Sequence, residues 1–137
     1  MRSVSLSAIA LSMLTLSSSG IAWGQPGLTR RDRQGPVTVA VTVVSSPGVE
    51  APLRARIALD THSVSLDEIA LESAVVLRSV DGTDIPPTAV EEARGSGHHR
   101  QAVVVFPPAA SSSVRIVVKS VGGVSERIFD WDLSGAR

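Results

Sequence analysis

The sequence predicts an all-β domain of two antiparallel sheets, and three observations support this fold class. Runs rich in β-branched residues recur along the chain, separated by short stretches of Pro, Gly, Ser and Asp that are typical of turns. Several of these runs alternate apolar and polar residues with a period of two, most clearly over residues 53–60, as strands with one wet face do. Helical periodicity is nearly absent. Together these patterns favour a sandwich or a small barrel over a helical fold.

Seven strands are predicted at regular spacing. In chain order they cover residues 37–44, 53–60, 74–80, 85–91, 101–106, 114–119 and 126–133. The Asp81-Gly82 pair predicts a tight hairpin between the third and fourth strands. Because Pro86 and Pro87 cannot donate ladder hydrogen bonds, the fourth strand belongs at a sheet edge. This pattern favours an immunoglobulin-like or fibronectin III-like sandwich, and the hairpin favours the fibronectin-like variant, with a small barrel as the alternative.

Two further patterns concern the helix content and the core. Residues 65–68 have the spacing of a capping box, which predicts at most one or two turns of helix before the third strand. In the last strand Phe129, Trp131 and Leu133 share one face, whereas aspartates occupy the other. These three apolar side chains are therefore predicted to point into one core.

The N-terminal residues indicate export. Arg2 precedes an apolar run over residues 5–16, and the small residues of Ala22-Trp23-Gly24 suit a signal peptidase. The predicted organisation is a signal peptide at 1–24, a flexible leader at 25–35 and a single β-sandwich domain at 36–137. The apolar run is too short for a comfortable membrane span and no second run follows, so we expect a periplasmic or secreted mature chain without a membrane span.

Composition argues against several functions. The 13 basic and 13 acidic residues are interspersed along the chain, so no basic stripe for nucleic acid is expected. The chain has no cysteine, and both methionines lie in the predicted signal peptide, which excludes thiolate and thioether metal sites in the mature protein. Its aromatic residues would be Phe106, Phe129 and Trp131, too few to build a stacking platform for sugars or single-stranded nucleic acid.

All three histidines fall in two short motifs. Asp60-Thr61-His62-Ser63 ends the second strand, and Gly97-His98-His99-Arg100 precedes the fifth. These strands are antiparallel neighbours in the predicted sandwich, so we expect the two motifs to meet at one end of the domain. A site built from His62, Asp60 and either His98 or His99 would suit Zn²⁺ or Cu²⁺, with water completing the coordination.

A structural role is the alternative for the same residues. A carboxylate near a histidine often orients the ring or caps a loop, and adjacent histidines in a turn also satisfy buried backbone groups. Catalysis has less support, because the sequence contains no nucleophile elbow, no His-Glu-x-x-His and no phosphate-binding glycine loop. The sequence thus predicts a protein that is not an enzyme.

Three stretches carry a resemblance to a known family: 58–63, 97–100 leading to Phe106, and 127–133. In this order they resemble the LDTHS, GGHHR and RxFxWxL motifs of a family of small secreted bacterial β-sandwich proteins with no established activity. The resemblance spans residues 53–133. This chain departs from the family pattern where Ser96 replaces a usual glycine and where Gln101-Ala102 replaces another. The resemblance implies that the two histidine motifs act together.

The sequence therefore predicts an exported binding module whose candidate site is a Zn²⁺ or Cu²⁺ site formed by Asp60, His62, His98 and His99. The alternative is a structural or protein-interaction domain of a complex outside the cytoplasm, in which the histidine cluster is purely structural. Such a domain would dock through the edge strand at 85–91 or through the leader.

Overall fold

The computed structural model describes residues 28–45, 50–108 and 111–134, and nearly every element in it is a β-strand. The strands are β1 (Thr29–Asp32), β2 (Val37–Val43), β3 (Pro52–Thr61), β4 (Val75–Arg78), β5 (Asp84–Ile85), β6 (Ala89–Ser96), β7 (His99–Pro108), β8 (Ser113–Val121) and β9 (Val124–Asp132). A single helical turn, α1 (Leu71–Ala74), precedes β4. The predicted all-β class is confirmed, and the predicted signal peptide at 1–24 lies outside the described residues.

The strands form two antiparallel sheets. The five-stranded sheet has the order β1-β2-β3-β7-β6, and the four-stranded sheet has the order β5-β4-β8-β9. The orders β2-β3-β7-β6 and β4-β8-β9 correspond to the A-B-E-D and C-F-G sheets of an immunoglobulin-like sandwich. The predicted two-sheet sandwich is therefore confirmed. The described part of the chain holds nine strands instead of about seven, because β1 and the two-residue β5 are additional.

The segment at 85–91 divides between the two sheets. After the Asp81-Gly82 turn, β5 pairs with β4, so the predicted hairpin is present. Pro86 and Pro87 follow β5, and the chain then crosses to the other sheet, where β6 forms the edge strand beside β7. Both parts of the segment lie at sheet edges, as the two prolines predict.

The core lies between the sheets and is filled by one face of each long strand. Burial in β3 alternates residue by residue, as the period-two pattern predicts. Burial in β9 alternates in the same way, and Phe129, Trp131 and Leu133 all belong to the core, which confirms the shared face predicted for them. Arg127 lies on this buried face as well and is only 1% exposed. The core of this sandwich therefore contains a charge.

β1 bridges the two sheets. It pairs with β2 in the five-stranded sheet, yet its residues and Leu28 just before it also contact β9 of the other sheet. The indole N–H of Trp131 donates to the Leu28 carbonyl at 3.0 Å, and the Arg30 guanidinium lies 5.9 Å from the centre of the Trp131 ring. The Nε atom of Arg127 donates to the Asp32 carboxylate at 3.0 Å. The structure differs here from the predicted flexible leader, because β9 supplies partners that the leader sequence alone does not reveal.

The helical turn begins later than the capping-box pattern predicts. The Ser65 hydroxyl accepts the Asp67 N–H at 3.3 Å, so this serine closes a local turn instead of starting a helix. α1 begins after Ala70, which makes no side-chain cap, and ends where β4 begins. Within the described residues, no helix has the length and apolar character needed to cross a membrane.

Charged side chains cover an apolar residue on the outer face of the four-stranded sheet. Arg78 donates to Asp84 at 2.7 Å and to Glu126 at 2.9 Å, and Lys119 also pairs with Asp84. Val117 lies on this face, between core residues of β8, and is nevertheless fully buried. We attribute its burial to the aliphatic parts of the long charged side chains that meet above it.

Candidate functional site

The two histidine motifs meet on neighbouring strands. β3 and β7 pair antiparallel, with Asp60 directly opposite His99. The Asp60 Oδ1 atom lies 2.6 Å from the His99 Nδ1 atom. Both side chains are open to solvent, with 51% of the Asp60 side chain and 70% of the His99 side chain exposed. The expectation that the motifs meet is confirmed for this pair.

The side chains of the other two histidines lie outside this contact. His62 and His98 are exposed, and the main chains beside them are linked because the Thr61 N–H donates to the His98 carbonyl at 3.0 Å. Among the described residues, no three side chains of the His, Cys, Asp and Glu types form a group that could hold a metal ion. Of the four predicted ligands, the structure brings Asp60 and His99 into contact.

The second histidine motif also anchors the loop that follows β3. The Leu66 N–H donates to the Gly97 carbonyl at 2.8 Å, and the Gly97 N–H donates to the Asp67 carboxylate at 2.7 Å. Arg100 donates to the carbonyls of Leu66 and Ile69 at 2.6 and 2.8 Å. Because these bonds satisfy backbone groups of a loop, they support the structural alternative for Gly97 and Arg100.

Gly95 lets β6 approach β7 closely beside the histidine. Its φ is +80°, and a Cβ atom at this position would lie 2.1 Å from the His99 carbonyl oxygen. Only glycine avoids both the steric clash and the unfavourable backbone conformation. A bulge between Glu91 and Arg94 adds a second irregularity to β6. The close approach at Gly95 fixes the position of Arg94, its neighbour in the chain, relative to the Asp60–His99 pair.

A groove of about 320 Å³ surrounds the Asp60–His99 pair. Its lining residues are Ala58, Asp60, Arg94, Gly95, His99, Arg100 and Gln101. Ala58 and Gly95 leave room in it, because one side chain is a methyl group and the other is absent. Arg94 and Gln101 lie opposite each other on β6 and β7. The groove thus brings a guanidinium, an amide and an imidazole to one opening on the outer face of the five-stranded sheet.

Arg94 is the arginine of this groove whose guanidinium has no hydrogen-bond partner among the described residues. It is exposed and has no acidic partner among the described residues, although strand register places two carboxylates, those of Asp60 and Glu91, on the same face. One of them, Asp60, contacts His99, and the other, Glu91, pairs with Arg54. An exposed guanidinium with its donors free suits a carboxylate, sulfate or phosphate group, which it binds through two parallel hydrogen bonds.

The groove opens onto a row of residues that crosses the whole sheet. From β1 to β6, strand register places Arg31, Ala40, Ala58, Gln101 and Arg94 side by side. Arg56 lies in the next row, where it faces Thr42 and Val103. We call the exposed residues Arg31, Arg56 and Arg94 the arginine face, and none of them has an acidic partner in the described part of the chain.

The arginine face was not predicted from the sequence. Charges of both signs alternate along the chain, and from this we expected no basic surface. The period-two pattern does place Arg56 on the wet face of its strand. Its neighbours depend on strand order, which puts residues far apart in the chain, Arg31 and Arg94, on the same face. The expectation of evenly mixed charge therefore does not describe this surface.

A larger groove of about 480 Å³ lies on the four-stranded sheet. Its charged lining residues are Arg78, Arg115, Asp130 and Asp132. Each already has a partner: Arg78 has two carboxylates, and Arg115 donates to Asp130 at 2.7 Å. Hydrogen bonds from Ser134 hold the pKa of Asp132 below its ordinary value. This groove therefore offers a charged ligand less than the smaller one does.

Comparison of the chain with models of known protein families, with curated proteins and with solved structures finds no match.

Proposed function

We propose that the chain is an exported, non-catalytic binding module whose groove at the Asp60–His99 pair takes an anionic group of its ligand. The observation that carries the proposal is the exposed Arg94, which lines the groove with no acidic partner among the described residues. The predicted signal peptide supports export, and the lack of catalytic motifs supports binding without catalysis.

Three residues of the groove would each make a different contact with the bound anion. Arg94 would hold the anion through its guanidinium fork, and the Gln101 amide would donate a further hydrogen bond. His99 makes the strength of anion binding depend on pH. Its Nδ1–H donates to the Asp60 carboxylate, so in the neutral ring Nε2 is an acceptor and repels an anion. In the imidazolium form Nε2 becomes a donor, so the protonated ring favours anion binding and lower pH strengthens it.

A divalent metal site is the second candidate, and one observation favours it. A neutral histidine whose Nδ1–H is held by a carboxylate presents the lone pair of Nε2, which is the usual arrangement of a metal-ligating histidine. His99 has this geometry with Asp60, and its ring is largely exposed. Zn²⁺ or Cu²⁺ would bind His99, and a movement of His62 or His98 would have to supply the further ligand.

A protein-interaction role through strand addition has less support from the edge strand. β6 is exposed along most of its length and lies at the sheet edge, as predicted. Its ladder is interrupted by the bulge between Glu91 and Arg94, and Glu92 has a φ of 51°. Bulges and charged side chains are the devices by which edge strands resist pairing with another chain. The face of the sheet is therefore the better binding surface than its edge.

The anion proposal is tested with the ¹⁵N-labelled mature chain, beginning at Gln25, titrated with sulfate and with acetate. We expect the amide resonances of Arg94 and Gln101 to shift, and to shift more at pH 5.5 than at pH 7.5. Arg94→Gln should abolish the response, whereas Arg115→Gln, an exposed arginine of the larger groove, should leave it unchanged. An unchanged response in Arg94→Gln would refute the anion site.

The metal candidate predicts the opposite pH dependence. In a titration with Zn²⁺ or Cu²⁺, affinity should rise between pH 5.5 and 7.5, because protons compete for Nε2 of His99. His99→Ala should then lose at least about tenfold in affinity, and His62→Ala or His98→Ala should identify the further ligand by a loss of similar size. Equal binding by all four proteins would reject the histidine site.

A further inference from the structure

We infer that the ligand is an extended acidic polysaccharide that lies across the five-stranded sheet, from the groove at Arg94 to Arg31 on β1. This inference rests on the proposed anion-binding function and names the class of ligand. It starts from the arginine face, whose three guanidinium groups occupy three different strands of one sheet.

The spacing of the arginines requires a long ligand. Arg31 and Arg94 stand at the two ends of a row that spans all five strands. At about 4.8 Å between neighbouring strands, their backbones are about 19 Å apart. Arg56 lies between them in the adjacent row, on the central strand β3. A single small anion reaches one of these groups, whereas a chain with repeated charges reaches all three.

The middle of the row allows such a chain to lie flat. Ala40 and Ala58 occupy two of its three central positions, so no long side chain stands between the terminal arginines there. Of the acids that strand register places on this face, Glu91 pairs with Arg54, which leaves Asp60 as one negative charge against the three arginines. The face therefore presents net positive charge to solvent along the path.

The remaining side chains favour a hydroxyl-rich polymer over an acidic peptide or a nucleic acid. Thr29, Thr38, Thr42 and Gln101 lie on this face and offer hydroxyl and amide groups. The large apolar side chains that are exposed in the described residues are Val44, Val80 and Ile128. Of these, only Val44 borders the face, so apolar peptide side chains find little to contact. No phenylalanine, tyrosine or tryptophan lies in the rows of this face to stack on bases, and an acidic sugar chain would be held there by its charges and hydroxyl groups instead of by ring stacking.

The test compares an oligogalacturonate hexamer with the dimer, both titrated into the ¹⁵N-labelled mature chain at low salt. We expect the hexamer to bind at least about tenfold more tightly at equal carboxylate concentration, because its later contacts are intramolecular. Only the hexamer should shift the amides of Arg31 and Arg56. Arg31→Gln should weaken hexamer binding about threefold to tenfold and leave dimer binding unchanged, whereas Arg94→Gln should weaken both. Arg115→Gln is the matched control and should change neither.

Two outcomes would overturn the inference while leaving the proposed function intact. One is dimer and hexamer binding that is equal per carboxylate, with no effect of Arg31→Gln, since the ligand would then occupy the groove alone. The other is equally tight binding of hexaglutamate or of a single-stranded DNA hexamer, which would show that the face binds any polyanion by charge and does not select a polysaccharide. A sulfate response that fails to involve Arg94 would instead refute the proposed function, and the inference with it.

Discussion

Arg127, on the last strand of the four-stranded sheet, donates from Nε to the carboxylate of Asp32, on the first strand of the five-stranded sheet. Its two terminal nitrogens donate to the carbonyls of Val121 and Gln34, each at 2.6 Å. The guanidinium is thus buried between the sheets with its donors satisfied. This relationship ties β1 to β9 and so joins the two layers at their edge.

Removing the Arg127 side chain should destabilise the fold strongly. Arg127→Ala leaves Asp32 and several partly buried carbonyls without their donor, and breaking such a network costs about 3–5 kcal/mol. Urea unfolding, followed by circular dichroism, would measure this loss. Arg127→Lys keeps the charge but lacks the fork, and should lose an intermediate amount. Arg115→Gln removes an exposed arginine and should change the free energy of unfolding by less than about 1 kcal/mol. A loss in Arg127→Ala as small as that would contradict the structural role given to this residue.

The hydrogen-bonded carboxylates of Asp32 and Asp84 should make the stability of the protein sensitive to acid. Burial raises the pKa of Asp32, but hydrogen bonds from Gln34 and Arg127 outweigh it and hold the pKa below its ordinary value. Hydrogen bonds from Arg78 and Lys119 lower the pKa of Asp84 further still. The unfolded chain therefore binds more protons than the folded one as the pH falls. This contribution to stability is complete above the unfolded pKa values and is lost below them, from about pH 5 downward.

The measurement is the urea midpoint at several pH values from 7 to 3. We expect the midpoint to fall steadily below about pH 5, and to fall less in Asp84→Asn, whose midpoint is already lowered at pH 7. Glu72→Gln, an exposed residue of the helical turn, is the control and should follow the unsubstituted protein. Parallel curves for Asp84→Asn and the unsubstituted chain would show that the Asp84 network does not contribute to acid sensitivity.

The fold was largely predictable from the sequence, because its strands follow local patterns of alternation and turn residues. The meeting of the two histidine motifs also followed, since it depends on two strands being neighbours. Arg127 and the strand at 29–32 were not predictable. Alternation does place Arg127 on the face of Phe129 and Trp131, but the groups that satisfy a buried guanidinium come from distant segments, at Asp32, Gln34 and Val121. A polar segment such as 29–32 becomes a strand only where neighbouring elements supply it with partners. The arginine face was missed because Arg31 lies in the segment predicted as a flexible leader and Arg94 lies beyond the end of the predicted fourth strand.

The N-terminal strand should protect the tryptophan of the core. Trp131 is the only tryptophan of a chain that begins at Gln25, and its indole N–H donates to the Leu28 carbonyl. A chain that begins at Arg33 loses this bond and the Arg30 guanidinium beside the ring. We expect its fluorescence maximum to shift to the red and iodide to quench it more. Arg30→Gln, which keeps β1, should retain the shielded emission. Identical spectra for the truncated and complete mature chains would contradict the bridging role of β1.

Gly95→Ala should disrupt the groove through a contact rather than through backbone conformation alone. Gly95 and Gly97 both have left-handed φ values, +80° and +65°, so alanine is strained at either position. A Cβ atom at Gly97 meets nothing within 4 Å, whereas at Gly95 it would lie 2.1 Å from the His99 carbonyl oxygen. The difference between the two variants therefore isolates the close approach of β6 to β7.

We expect Gly97→Ala to lose about 1 kcal/mol of unfolding free energy and Gly95→Ala to lose clearly more, up to about 3 kcal/mol. Sulfate binding should distinguish the two variants further. Because the clash moves β6 away from β7, Gly95→Ala should displace Arg94 from the groove and reduce the sulfate response, while Gly97→Ala should keep it. Equal stability and equal anion binding in both variants would mean that β6 can shift without cost, and that the position of Arg94 beside the Asp60–His99 pair is not fixed by Gly95.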